Sequence, residues 1–127
     1  MKKLFLLFSH TLTSRQEADA KATFGVEQFV TLPSELQELW SNVPSELEDV
    51  SDYLEPLKAY LTEQIEQGDV VLVQGDFGAT YYMVNEVKAL GLKAVHATTK
   101  RNAVEKFIDN KIVKTSVFEH VRFRVYG

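Results

Sequence analysis

Three short runs of this chain are apolar or nearly so: Leu4-Phe5-Leu6-Leu7-Phe8, Val70-Val71-Leu72-Val73 before Gln74, and residues 93–97. A strand with one wet face alternates apolar and polar residues. One that is apolar throughout is covered on both faces, as a central strand of a parallel sheet is. Parallel neighbours need crossover connections, and helical signals fill the gaps between the runs. Ser14 and Glu17 read as a capping box for a helix over residues 14–24, which Gly25 stops. Residues 26–32 read as a further strand ended by Pro33. Ser34 and Gln37 read as a second capping box, opening a short helix through Trp40. Leu47, Val50, Leu54, Leu57, Leu61 and Ile65 recur at helical spacing, with a kink or a fresh first turn expected at Pro56. A helix from about Ala79 to Leu90 ends at Gly91. The fold class is therefore α/β: an open, mostly parallel sheet flanked by helices, with a C-terminal β extension.

The tail admits two readings. Asn102 to Glu105 caps a helix carrying Val104, Phe107 and Ile108, or residues 103–108 and 111–116 form a hairpin turning at Asp109-Asn110. The hairpin is the favoured reading, and it sets Glu105 across from Lys114 and Phe107 across from Ile112. Residues 118–126 read as a strand with Val121, Phe123 and Val125 on an apolar face. Phe118, His120, Arg122, Arg124 and Tyr126 then make a basic-aromatic face, suited to stacking bases, to a dimer contact or to solvent.

With 127 residues the chain makes one domain, spanning residues 1–127. It has no cysteine, which excludes disulfides, thiolate metal sites and cysteine nucleophiles and suits a reducing cytoplasm. Lys2-Lys3 and the apolar run after them imitate a signal peptide, but five apolar residues fall short of the roughly 7–15 an h-region needs. The net charge of −4 argues against a duplex nucleic-acid partner. That charge is unevenly spread. Residues 27–69 hold eleven Asp/Glu against one Lys, and residues 88–127 hold nine Lys/Arg against three Asp/Glu. Such a split field repels an anion from one face and draws it to another.

Ligands of open parallel sheets bind beyond the carboxyl ends of the strands. Three segments fall there: Ser9-His10-Thr11, Gln74 to Gly78, and Thr98-Thr99-Lys100-Arg101. Gly75 and Gly78 permit close backbone approach to a phosphate at a helix start, although neither the dinucleotide fingerprint nor the P-loop is present. Thr98 and Thr99 offer hydroxyls, and Lys100 and Arg101 offer charge. Histidine is the side chain that exchanges a proton near neutral pH, and His10 is the one at this edge. Asp76 reads as a helix cap or as a catalytic carboxylate. His10, His96 and His120 lack metal-ligand spacing, so no metal and no cofactor is expected.

Five segments carry a family resemblance. They are Phe5 to His10 with Leu12-Thr13 and Gln16; Leu32-Pro33 with Leu36 and Trp40; and Val71 to Thr80 through Gln74-Gly75-Asp76-Phe77-Gly78. Ala97 to Arg101 follows, and then Phe118 to Arg124 with Tyr126. In this order they resemble the small stand-alone CRISPR-associated proteins of type III systems grouped with the ring nucleases. The resemblance implies a Rossmann-like sensor domain acting as a homodimer on cyclic oligoadenylate, most often cyclic tetraadenylate. It implies metal-independent cleavage, in which a ribose 2′-OH attacks its neighbouring phosphodiester and leaves a 2′,3′-cyclic phosphate, switching off antiviral signalling. On that reading His10 transfers the proton, and Lys100, Arg101 and the N–H groups of residues 75–78 stabilise phosphoryl charge. Asp76 orients His10 or caps its helix. Ser9, Thr11, Gln16, Gln74, Phe77, Thr98 and Thr99 contact the ligand. The alternative is a binder that sequesters the messenger without cutting it.

Overall fold

The computed structural model describes residues 1–127. Its elements are β1 (Lys3–Leu7), α1 (Ser14–Phe24), β2 (Gln28–Thr31), α2 (Ser34–Ser41), α3 (Glu55–Gln64), β3 (Val70–Val73), α4 (Phe77–Ala89), β4 (Lys93–Ile108) and β5 (Lys111–Val125). The sheet order is β2-β1-β3-β4-β5. β1 pairs parallel with β2 and β3, β3 pairs parallel with β4, and β5 closes the edge antiparallel to β4. This is a Rossmann-like open sheet wound in both directions from β1 and β3, and the crevice outside their carboxyl ends is its switch point.

The apolar runs are buried on both faces because two cores meet across them. Leu4 and Leu6 face α1 together with Leu72, Val95 and Phe123, while Phe5 and Leu7 face the other core with Trp40, Leu57, Leu61, Val73 and Met83. The core that holds Trp40 covers that face with α2, α3 and α4, so the architecture has three layers. Far from the switch point, the buried Asp69 accepts from the backbone N–H groups of Lys3 and Glu66 and pairs with the Lys3 ammonium at 3.2 Å. Those bonds account for a buried carboxylate in purely structural terms.

Several local expectations need correction. The α1 cap is Thr13, not Ser14: its hydroxyl accepts from the Gln16 N–H, and the Gln16 side chain accepts from the Thr13 N–H. Two capping boxes sit one residue apart in the sequence, and the one that buries Gln16 and Ala20 forms. α2 has no side-chain cap; Pro33 occupies that position, and the Gln37 amide donates instead to the Phe8 carbonyl. Residues 47–50 are irregular and 51–54 form a turn, and the helix starts afresh with Pro56 in its first turn.

The tail is the hairpin. Asp109 and Asn110 have φ of 50° and 59°, the two left-handed residues of a tight strand-twisted turn. Glu105 pairs with Lys114 and Phe107 with Ile112. The hairpin is longer than expected, because Thr98 to Arg101 is strand and not loop. β4 meets β3 only at Lys93, Ala94 and Val95, so its remaining length and most of β5 project as a two-stranded ribbon. A register shift beside Thr98 and Thr99 leaves Val121 without a partner. That bulge breaks the expected alternation. His120 turns to the same side as Phe123, their rings 4.8 Å apart, and Val121 is exposed.

Candidate functional site

At the end of β1 the chain leaves the sheet through Phe8, Ser9, His10 and Thr11. Ser9 and His10 are exposed, and the His10 ring lies edge-on to Phe8 at 5.4 Å. On the α1 side a cleft of about 420 Å³ opens between this loop, the start of α1 and the base of the ribbon. It is walled by His10, Thr11 and Thr13 from the loop, Arg15 and Gln16 from α1, and Thr99, Phe118, Glu119 and His120 from the ribbon. A larger cleft of about 700 Å³ adjoins it beyond β1 and β2, sharing Phe8, His10 and Thr11 and adding Ser9, Thr31, Ser34 and Gln37. His10 stands on the ridge between the two.

Of the expected residues, the structure gathers His10, Thr11, Gln16 and Thr99 in one cleft and puts Ser9 in its neighbour. The others lie elsewhere. Gln74 works inside the sheet: its N–H donates to the Leu7 carbonyl, its carbonyl accepts from the Trp40 indole, and its side-chain oxygen accepts from the Ala97 N–H. Gly75 is forced by packing, since a Cβ there would come within 2.9 Å of the Trp40 ring. Asp76 is the N-cap of α4 and accepts from the Ala79 N–H at 3.0 Å. Its carboxylate brings negative charge to the helix start, which opposes anion binding there. Gly78 and Phe77 are exposed in that first turn, Phe77 at 94%. The Thr98 hydroxyl donates to the Arg122 carbonyl. Lys100 is exposed on the ribbon opposite Glu119, and Arg101 donates to the Ser116 hydroxyl.

Sequence reasoning missed Arg15, Glu119 and the place of His120. The His120 side chain is only 4% exposed, and its Nε2 lies 2.7 Å from an Asp19 carboxylate oxygen. Burial raises the Asp19 carboxyl, but hydrogen bonds from His120 and Thr23 and the charges of His120 and Arg122 outweigh it, holding the group below the usual carboxylate value. The pair ties α1 to β5, and His120 Nδ1 is buried without a partner. The signal was available: Asp19 sits on the α1 face between Gln16 and Thr23, but nothing local predicts the bulge that aims His120 at it. Chemically, the cleft offers a proton-transfer group in His10, hydroxyl and amide groups for ribose or phosphate, one guanidinium, and the Phe118 ring. No three His, Asp or Glu side chains gather as metal ligands, and no helix is long and apolar enough to cross a membrane.

No solved structure matches the chain. Over 127 residues it is 48% identical to the Uncharacterized protein MJ1673 of Methanocaldococcus jannaschii, covering 100% of this chain and 98% of that one. A sequence model of the Uncharacterized protein MJ1673 family matches residues 2–124. With nearly the whole chain matched in both comparisons, this protein belongs to the MJ1673 family.

Proposed function

We propose that this protein is a metal-independent ring nuclease, binding cyclic oligoadenylate and cutting it by 2′-OH attack in the cytoplasm. The observation that carries the reading is the cleft beyond the carboxyl end of β1, where His10 stands beside Thr11, Gln16, Thr99 and Arg15. Its chemistry suits a phosphodiester flanked by ribose. The attacking oxygen belongs to the ligand, so the protein's task is to hold 2′-OH, phosphorus and leaving oxygen in line and to move a proton. His10 is exposed on the ridge where both clefts reach it. Arg15 takes the phosphate-neutralising role that sequence reading gave to Lys100 and Arg101, which lie outside the cleft. Binding without cleavage is the second reading. It draws support from His10 having no carboxylate partner, because Asp76 is engaged at the α4 cap.

The test is incubation with excess labelled cyclic tetraadenylate in EDTA, followed by chromatography. Linear products exceeding the protein in amount support the enzyme. His10→Ala should then cut turnover by about 100-fold or more while ligand still binds. Intact ligand that stays tightly bound to the wild type removes the catalytic reading and leaves the binder.

A further inference from the structure

The ribbon exposes more apolar surface than a solvated hairpin needs. Two-stranded hairpins are marginal alone in water, yet residues 103–119 are exposed throughout. The antiparallel register sorts one face into four rows: Arg101 with Phe118, Ala103 with Ser116, Glu105 with Lys114, and Phe107 with Ile112. Side-chain contacts agree with the sorting. Arg101 Nε reaches the Ser116 hydroxyl at 3.0 Å, and Lys114 Nζ lies 3.8 Å from Glu105. Phe107, Phe118 and Ile112 are 72%, 66% and 65% exposed.

We propose that this face docks on the same face of a second copy of the chain, two ribbons stacking antiparallel about a two-fold axis. The order of the rows is the argument. From base to tip they run bulky, small, long and charged, bulky. Turned end for end about its centre, that series sets each bulky row over the other bulky row and each charged row over the small one. Phe107 and Ile112 of one copy then lie on Arg101 and Phe118 of the other, joining a guanidinium over a ring to an aromatic contact. Glu105 and Lys114 are of opposite sign within one row, and each Arg101 guanidinium, the one charge on the face without a carboxylate beside it, is set over a ring. A two-fold interface demands this kind of self-complementarity. Four phenylalanines, two isoleucines and the stems of the charged side chains supply on the order of 1,000 Å², the scale a specific interface requires. The inference deepens the proposed function by naming where two copies meet. Phe118 belongs to both this face and the cleft, so the second copy's hairpin tip forms the cleft's outer edge.

The test is sedimentation of the full chain at micromolar concentration. The wild type should be a dimer. The double substitution Phe107→Lys with Ile112→Glu should weaken it about 100-fold or more, because cross-strand partners exchanged for an opposite-charge pair keep the hairpin while charging the contact. Ala103→Glu, which fills the small row, touches nothing buried and sets a carboxylate against Glu105 of the second copy, should weaken it comparably. Val104→Lys on the opposite face should leave it intact. A monomeric wild type overturns the proposal, as does a dimer indifferent to both face substitutions or weakened equally by Val104→Lys. Cleavage is assayed separately. A dimer that cuts nothing leaves the interface standing and removes the enzyme, and a monomer that cuts does the reverse.

Discussion

At Gly75 one hydrogen atom decides the packing, because the Trp40 ring lies where a Cβ would stand. Gly75→Ala must displace a buried indole whose N–H is already committed to the Gln74 carbonyl. It should cost about 1–3 kcal/mol of stability in chemical denaturation. The glycine was legible as a turn residue, but its reason was not, since Trp40 is 35 positions away. The cations show the same limit. Lys100 and Arg101 follow an apolar run and look like a phosphate-binding loop, whereas strand pairing carries them out along the ribbon. Arg15, with no motif around it, lines the cleft. Arg15→Ala should therefore weaken binding of cyclic tetraadenylate about 10-fold or more. Lys100→Ala should change it less than half as much in free energy, as read by titration calorimetry.

The elements that sequence reveals best are those whose burial is settled locally. β1 after Lys3 and β3 throughout are apolar because helices cover both faces, and Asp109-Asn110 between strands reads as a turn. β4 was legible as two pieces, residues 93–97 and the hairpin arm 103–108, and not as one strand through Thr98 to Arg101. Beyond Val95 it pairs with β5 alone and meets water, so the apolar signal ends while the strand continues. The turn makes a direct prediction: Asn110→Val puts a β-branched residue at φ 59°. It should destabilise the ribbon by about 1–2 kcal/mol, seen as faster amide exchange there than in β1. His96 gives β4 a pH dependence. Burial, and then the charge of Arg124, hold its imidazole below the usual value of 6.5, against the Ala97 backbone bond that raises it. The unfolded chain therefore takes up the proton first as pH falls. This contribution to stability is complete above pH 6.5 and is lost progressively below it. His96→Gln, which cannot titrate, should flatten that limb of a denaturation series in pH.

Over the whole molecule, acidic residues gather in 27–69 and basic ones in 88–127. The cleft borders the ribbon base, on the basic side of this division. An anionic ligand should associate faster at low ionic strength, with stopped-flow rates falling roughly 10-fold or more as salt approaches 1 M. A rate indifferent to salt would remove steering from the account. One side chain also settles where this architecture is free to change. Gln74 ties β1, β3 and β4 and receives the α2 indole through three hydrogen bonds. That residue is a keystone beside the site, because altering it loosens three strands at once. His10, Thr11 and Glu119 in the cleft wall have exposed side chains that hold nothing else together. A lineage retuning this protein toward a ligand of another size would find its cheap mutations there, leaving the frame that presents them untouched.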